Sequence, residues 1–242
     1  MNSIIKIVPN VKKYKTYIED VKSGITPIMV SGLTDAGKIH LAYSTHFYGE
    51  KPVCIVTYNE IQAKKLIKDL EYFNDDIEFF PKKEIFAYDY LAESKDNLFD
   101  RISVLNNIIN KKSKIVVTTI ESLMQPMVSK EVLYKNIIKI KVGQEIELEK
   151  LKENLIKLGY ERYDLIEGKG QFSIRGGIVD IALSDKAGIR IEFWGDEIDS
   201  IRKFNILTQR STDMIDEFQV YPAFEYILED DLETVCGRIK ES

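Results

Sequence analysis

Short apolar runs alternate with amphipathic stretches through the first half of the sequence. Four runs, rich in β-branched or aromatic residues, have the length and composition of buried strands, at residues 27–30, 53–57, 77–80 and 114–119. The segments between them repeat apolar residues at helical spacing, as in the stripes Ile61, Leu66, Ile67, Leu70 and Ile102, Leu105, Ile108, Ile109. Strands that alternate with helices of this length predict a parallel sheet with helices on both faces.

The pattern changes after residue 125. A helix is predicted over about residues 148–158, and short extended segments interrupted by glycines continue to residue 205. Apolar and polar side chains alternate in Ile189–Trp194, which predicts an antiparallel strand with one solvated face. We therefore predict an α/β domain that is interrupted by an inserted α+β module with an antiparallel sheet.

The predicted domain boundaries follow from this change of pattern. Residues 1–125 form the first part of the α/β domain, and residues 126–218 form the inserted module. Residues 219–242 are expected to return to the first domain, with a helix over about residues 229–240.

The composition is that of a globular protein without a general affinity for nucleic acid. Of 242 residues, 44% are hydrophobic and the formal net charge is −5, so no global charge draws the chain to DNA or to an anionic membrane. No apolar stretch approaches the ~20 residues of a membrane span, and no signal peptide is recognisable, which predicts a cytoplasmic protein without a membrane partner. Cys54 and Cys236 form no C-x-x-C pair, so we predict no metal site.

Residues 31–40, SGLTDAGKIH, have the spacing of a phosphate-binding loop, G-x-x-x-x-G-K-[ST]. In a working loop the backbone N–H groups cradle phosphates, the lysine reaches the β and γ phosphates, and a Ser or Thr hydroxyl binds Mg²⁺. Gly32, Gly37 and Lys38 are present, but Ile39 stands where the hydroxyl is required. The spacing therefore predicts a degenerate P-loop.

Three further features argue against ATP hydrolysis. Asp35 places a carboxylate where the loop would face phosphates. His40 offers nitrogen rather than the oxygen that Mg²⁺ prefers. The strand over residues 114–119 leads into Thr-Ile-Glu rather than into an acidic pair that could hold the metal ion. We predict no catalytic residue and no cofactor in this chain.

Three sets of segments together resemble one protein family. They are the loop at residues 31–40, the aromatic segment 79–89 followed by 100–105, and the segments 159–164, 170–181 and 192–199. In combination they are similar to the N-terminal UvrB-homology region of the bacterial transcription-repair coupling factors, and the excision-repair protein UvrB shares the pattern of the last set. The resemblance covers nearly the whole chain. It implies a RecA-like sheet with a degenerate P-loop that no longer binds nucleotide.

Two features favour the coupling factors over UvrB. UvrB resembles an intact ATPase with a hydroxyl in its loop, and it carries a long tyrosine-rich hairpin that inserts into DNA. Here only about a dozen residues lie between Tyr88 and Asp100. Tyr88 and Tyr90 are therefore assigned to packing on the sheet rather than to a DNA wedge.

The resemblance also implies that the chain is an N-terminal fragment of a longer protein. The intact factor would add a domain that binds RNA polymerase, motor domains that use ATP and Mg²⁺ to translocate on DNA, and a C-terminal domain. The inserted module would recruit UvrA, and the C-terminal domain of the same chain would cover this surface in the resting state.

The contact arginines that the resemblance implies are Arg162 and Arg175, which we predict to bind the partner. A guanidinium can pair with a carboxylate through two bonds, although an arginine on a strand often pairs only with an acid on the next strand. Phe172 is assigned to the core rather than the interface, and Trp194 is either an exposed anchor or a packed side chain. Two alternative functions stay open: a P-loop nucleotide-binding protein and a UvrB-like module that binds damaged DNA.

Overall fold

The computed structural model describes residues 11–73, 76–83 and 95–225. The predicted helix over residues 229–240, the tyrosines Tyr88 and Tyr90, and Cys236 lie outside the described residues. Within the described chain, two compact units are found. The first contains the residues up to 83 and residues 104–126, and the second contains residues 95–103 and 127–225.

The first unit is a parallel sheet with helices on both of its faces. Its elements are α1 (Lys12–Lys22), α2 (Asp35–Gly49), β1 (Val53–Thr57), α3 (Glu60–Leu70), β2 (Ile77–Phe80), α4 (Lys95–Ile109, from residue 104 onward), β3 (Ile115–Thr119) and α5 (Ile120–Met124). The three strands are parallel, in the order β1-β3-β2. This part of the prediction is confirmed.

Strand β3 carries the core of the first unit because successive side chains point to opposite faces. Ile115 and Val117 pack in one cluster with residues of α2 and α3, including Tyr43. Val116 packs in a second cluster with Val104 of α4 and with Phe80. All five residues of β3 are buried, as expected of the central strand of a parallel sheet.

Two expectations for this unit are wrong. Among the described residues no strand is found at 27–30, where Met29 is 95% exposed. An apolar run forms a strand only where a neighbouring strand can pair with it and bury it. Ile61 and Ile108 are exposed although they lie on the predicted apolar stripes, because tertiary packing buries other positions such as Ala63 instead.

The second unit contains the antiparallel sheet. Its further elements are α6 (Lys130–Lys135), β4 (Ile138–Lys141), α7 (Leu148–Lys157), β5 (Glu161–Arg162), β6 (Gln171–Arg175), β7 (Ile178–Ala182), β8 (Ala187–Trp194), β9 (Glu197–Asn205), β10 (Ser211–Met214) and β11 (Glu217–Val220). Six strands form one sheet in the order β10-β9-β8-β7-β6-β5. The four pairs from β6–β7 to β9–β10 are antiparallel, as predicted, but β5 pairs in parallel with β6.

One face of the six-stranded sheet is apolar and buried. Its fully or almost fully buried side chains are Phe172, Val179, Ile181, Ile189, Ile191 and Ile201. Phe172 therefore belongs to the core, as favoured from the sequence. The opposite face carries charged positions at one end and the buried apolar residues Ala182 and Phe204 at the other, and the candidate site lies on its charged part.

Strand β11 and the residues after it belong to the second unit. β11 pairs with β4 in a separate two-stranded antiparallel sheet. The guanidinium of Arg101 is hydrogen-bonded to the carboxylate of Glu225, and both side chains are buried. Residues 219–225 thus pack within the second unit, and the predicted return of residues 219–242 to the first domain stays a prediction for residues 226–242.

None of the helices in the described part of the chain combines the length and the apolar composition that a membrane span requires.

Candidate functional site

The loop at residues 31–34 leads directly into helix α2. Gly32 has φ 77°, a left-handed conformation that glycine adopts without steric cost. The hydroxyl of Thr34 accepts a hydrogen bond of 3.2 Å from the backbone N–H of Gly37 and so caps the N-terminus of α2. The segment is therefore an ordinary helix N-terminus. The Thr34 hydroxyl already binds the N–H of Gly37, one of the N–H groups that a phosphate would need.

Asp35 forms ion pairs with the lysine of the loop. Its carboxylate lies 3.2 Å from Nζ of Lys38 and 3.7 Å from Nζ of Lys65. The hydrogen bond and charge of Lys38, followed by the charge of Lys65, lower the pKa of Asp35. All three side chains are exposed, so these pairs add little to stability. They bear on phosphate binding instead, because a carboxylate of the same loop already pairs with Lys38.

Ile39 is a core residue. It is 8% exposed and packs with Tyr43 and with residues of α3 and β3. His40 is packed edge-to-face against Tyr14, with ring centroids 5.5 Å apart, and against Phe73, at 6.3 Å. Neither position offers an oxygen to Mg²⁺.

The carboxyl end of β3 is occupied by capping contacts. The hydroxyl of Thr119 accepts a hydrogen bond of 3.2 Å from the N–H of Ser122 and caps α5. The carboxylate of Glu121, the acid that follows β3, pairs with Lys82 at 3.1 Å. Among the described residues, no group of three His, Cys, Asp or Glu side chains is arranged to hold a metal ion.

The face of the six-stranded sheet opposite Phe172 carries a group of charged side chains, which we call the charged face. It consists of Arg175, Asp180, Arg190, Glu192 and Arg202. Strand register brings them together, since Arg190 of β8 lies opposite Asp180 of β7 on one side and opposite Arg202 of β9 on the other. The face extends across β6 to β9.

Asp180 is the centre of the charged face. Its side chain is 1% exposed and accepts hydrogen bonds of 2.7 and 2.9 Å from Nε and Nη2 of Arg190. It also accepts a bond of 2.5 Å from Nη2 of Arg175. The hydrogen bond to Asp180 raises the pKa of Arg190, whose guanidinium lies 4.7 Å from the ring centre of Phe204. One buried carboxylate therefore holds two arginines in fixed orientations.

Arg175, one of the two predicted contact residues, remains 44% exposed although it pairs with Asp180 on the next strand. The turn that follows it is tightly packed, because the N–H of Phe193 donates to the carbonyl of Gly177 at 2.8 Å. A Cβ atom at Gly177 would lie 3.0 Å from the carbonyl oxygen of Phe193, so a larger residue would require one of the two strands to shift by a few tenths of an ångström. Arg175 is thus presented beside a rigid turn.

A second set of contacts completes the charged face. The carboxylate of Glu192 accepts hydrogen bonds from the hydroxyl of Ser200 at 2.7 Å and from Nη2 of Arg202 at 3.1 Å. Each of the two acids of the face is therefore bonded to at least one arginine. Three arginines and two acids leave the face with one excess positive charge.

Arg162, the other predicted contact residue, lies on a different face. It is on the edge strand β5 and pairs in register with the buried Phe172, so it points to the side opposite Arg175. The hydrogen bond and charge of Lys152 lower the pKa of Glu149 in α7, and the charge of Arg162 adds to this effect. The structure leaves Arg162 exposed but does not bring it together with Arg175.

Trp194 ends strand β8 and is 83% exposed. Of the two alternatives left open by the sequence, the exposed position is the one observed. Side chains alternate along the strand, so Trp194 lies on the side of Glu192 and Arg190.

Two comparisons with known proteins concern this region. Residues 138–226, which include the whole six-stranded sheet, match the family model described as the UvrB interaction domain. The chain is 30% identical over 231 residues to the transcription-repair-coupling factor of Bacillus subtilis (strain 168), across 94% of this chain and 20% of that protein. It is 29% identical over 227 residues to the transcription-repair-coupling factor of Staphylococcus haemolyticus (strain JCSC1435), across 93% of this chain and 19% of that protein.

The chain is similar to transcription-repair-coupling factors along nearly its whole length, and residues 138–226 match the UvrB interaction domain. It spans about a fifth of the length of these two relatives. Its UvrB interaction domain contains the complete charged face, from Arg175 to Arg202.

Sequence reasoning missed two central residues of this UvrB interaction domain. Neither Asp180 nor Arg190 is among the site residues that the sequence predicts. Apolar and charged residues alternate in both Val179-Asp180-Ile181 and Ile189–Trp194, and this alternation is the sequence signal for the two residues. Reading it as an ion-pair network requires the register between β7 and β8, which the structure supplies.

Proposed function

We propose that the charged face of this chain recruits UvrA in transcription-coupled nucleotide excision repair. The observation that carries the proposal is the pair of arginines, Arg175 and Arg190, fixed by the buried carboxylate of Asp180. The match of residues 138–226 to the UvrB interaction domain supports it. So does the similarity to transcription-repair-coupling factors along nearly the whole chain.

The geometry of the charged face suits a partner with acidic groups. Asp180 holds one nitrogen of Arg175 and is itself buried, so the half-exposed guanidinium of Arg175 rather than this carboxylate is accessible to a partner. A planar guanidinium whose orientation is already fixed loses less freedom when it pairs with a carboxylate. Such pairs give specificity and a faster association rate.

Arg162 is proposed as a second contact at the edge of the sheet. It is exposed on β5, but it lies on the face opposite Arg175. A partner seated on the charged face must extend around the edge strand to reach it. We therefore expect Arg162 to contribute less to binding than Arg175.

The α/β part of the chain is proposed to be a RecA-like domain with a degenerate P-loop, without catalytic activity or a bound cofactor. The buried Ile39 and the pairing of Lys38 with Asp35 support this. ATP and Mg²⁺ would be used by motor domains elsewhere in the intact factor, which is expected to be an ATP-dependent DNA translocase. RNA polymerase and DNA would likewise be bound by other regions.

Autoinhibition is proposed as the second role of the charged face. In the intact factor, the C-terminal domain of the same chain would cover the face until the factor is activated. UvrA and the C-terminal domain would then compete for Arg175. The proposal predicts that an isolated C-terminal domain displaces UvrA from this chain.

The binding of purified UvrA to this chain, measured by titration calorimetry, tests the proposed function. Arg175→Ala is expected to weaken binding at least tenfold, since an arginine at the centre of an interface typically contributes ~2 kcal/mol or more. Arg162→Ala is expected to weaken it less. Arg210→Ala is the matched control, because Arg210 is exposed in the turn between β9 and β10, at the other end of the sheet.

Three outcomes would contradict the proposal. The first is that the wild-type chain does not bind UvrA. The second is that Arg175→Ala binds as tightly as the wild type. The third is that a titration with ATP and Mg²⁺ gives binding that Lys38→Ala abolishes, which would favour a nucleotide-binding protein instead.

A further inference from the structure

Trp194 is a large apolar side chain that the fold leaves in solvent. It is the only tryptophan of the sequence and is 83% exposed, at the end of β8. A single exposed apolar residue is common on protein surfaces and has no meaning by itself. Its position relative to the charged face is what gives it significance.

Two turns meet at the end of the sheet where Trp194 lies. The turn after Arg175 joins β6 to β7, and the turn after Trp194 joins β8 to β9. The N–H of Phe193 donates to the carbonyl of Gly177 at 2.8 Å, which holds the two turns side by side. The indole and the half-exposed guanidinium are therefore presented at the same end of the same sheet.

The register places both side chains on one face. Arg175 lies opposite Ile178, and Ile178 lies opposite Glu192. Trp194 follows Glu192 by two residues, so it lies on the same side and roughly 7 Å further along the strand. It forms an apolar extension of the charged face.

We infer that Trp194 is the apolar anchor of the UvrA-binding surface, an inference that rests on the proposed function. Tryptophan and arginine are the residues most enriched among those that dominate binding energy at protein interfaces. The charged face supplies the half-exposed Arg175 at this end of the sheet, and Trp194 supplies apolar area beside it. The complementary site on UvrA is an apolar pocket for the indole with carboxylates on its rim.

The single tryptophan allows a direct test. Labelling this chain with 5-fluorotryptophan gives one ¹⁹F signal, which in the free chain is expected to show the solvent isotope shift of an exposed ring. Adding unlabelled UvrA should move this signal and remove most of its isotope shift. Because only this chain carries the label, tryptophans of UvrA do not contribute.

A substitution tests the energetic contribution of the same side chain. Trp194→Ala is expected to weaken UvrA binding at least tenfold and to leave the unfolding curve unchanged, since the side chain is exposed. Leu207→Ala is the matched control: Leu207 is 74% exposed, but it lies in the turn between β9 and β10, at the opposite end of the sheet. Its affinity should stay within twofold of the wild type.

The outcomes separate this inference from the function on which it rests. If wild-type chain binds UvrA and Arg175→Ala weakens binding, while the ¹⁹F signal and Trp194→Ala show no effect, the anchor is refuted and the proposed function stands. If Leu207→Ala weakens binding as much as Trp194→Ala, the location of the anchor is wrong. If wild-type chain does not bind UvrA, both are overturned.

Discussion

Asp180 and Arg190 face each other on neighbouring strands, joined by two hydrogen bonds of 2.7 and 2.9 Å. The carboxylate is buried, and a buried charge is costly unless ion pairs and hydrogen bonds compensate for its lost hydration. Arg190 and Arg175 together provide this compensation. In return, the carboxylate fixes the directions in which both guanidinium groups point.

Replacing this carboxylate should destabilise the fold. We expect Asp180→Ala to lower the free energy of unfolding by about 3–5 kcal/mol, because it leaves two arginines without their buried partner. Urea denaturation followed by circular dichroism measures the change. Glu149→Ala is the control: it removes an exposed partner of Lys152 and should cost less than about 1 kcal/mol. Equal effects of the two substitutions would show that Asp180 does not organise the charged face.

Restoring the missing hydroxyl should not restore nucleotide binding. Ile39→Thr completes the P-loop pattern, but it places a hydroxyl in the core and leaves Asp35 paired with Lys38. We expect no measurable binding of ATP with Mg²⁺ by calorimetry, together with a loss of about 1–3 kcal/mol in unfolding free energy. Asp35→Ser in the same background removes the internal carboxylate and separates the two defects. ATP binding by Ile39→Thr alone would mean that the hydroxyl was the only functional loss.

Burial raises the pKa of Tyr160 well above its usual value, and the neighbouring Tyr221 adds to the shift. The hydroxyl of Tyr160 donates a hydrogen bond of 3.1 Å to the carbonyl of Tyr221, so the folded protein favours the neutral form. This contribution to stability is complete below the unfolded pKa of about 10 and is lost progressively as the pH rises above it.

Tyr160→Phe isolates this effect. The variant should lose about 1 kcal/mol at neutral pH, because the hydrogen bond is absent. Between about pH 9 and 11 its unfolding free energy should fall less steeply than that of the wild type. Parallel curves for the two proteins over this range would contradict the assignment.

The strands of the parallel sheet could be predicted from the sequence where local pattern and burial agree. Strands β1, β2 and β3 are short β-branched or aromatic runs, and β3 is buried along its whole length. The run at residues 27–30 has a similar composition, yet it forms no strand in the described chain. Composition alone does not say whether a neighbouring strand is available, and this is a property of the tertiary structure.

The candidate site was only partly predictable for the same reason. Arg175 and its possible pairing with an acid on the next strand could be proposed from the sequence. That Arg162 points to the opposite face could not, because this depends on the parallel register between β5 and β6. A shift of one residue in register would have reversed the conclusion.

Hydrogen–deuterium exchange of this chain, with and without UvrA, tests the central claim most directly, because it locates the contact surface without any substitution. We predict slower exchange on UvrA binding around the turn between β6 and β7 and in β8 up to the turn before β9. Exchange in α2, which follows the degenerate P-loop, should be unchanged. Protection confined to α2 and its loop, with none in β6 to β8 of a formed complex, would contradict the account.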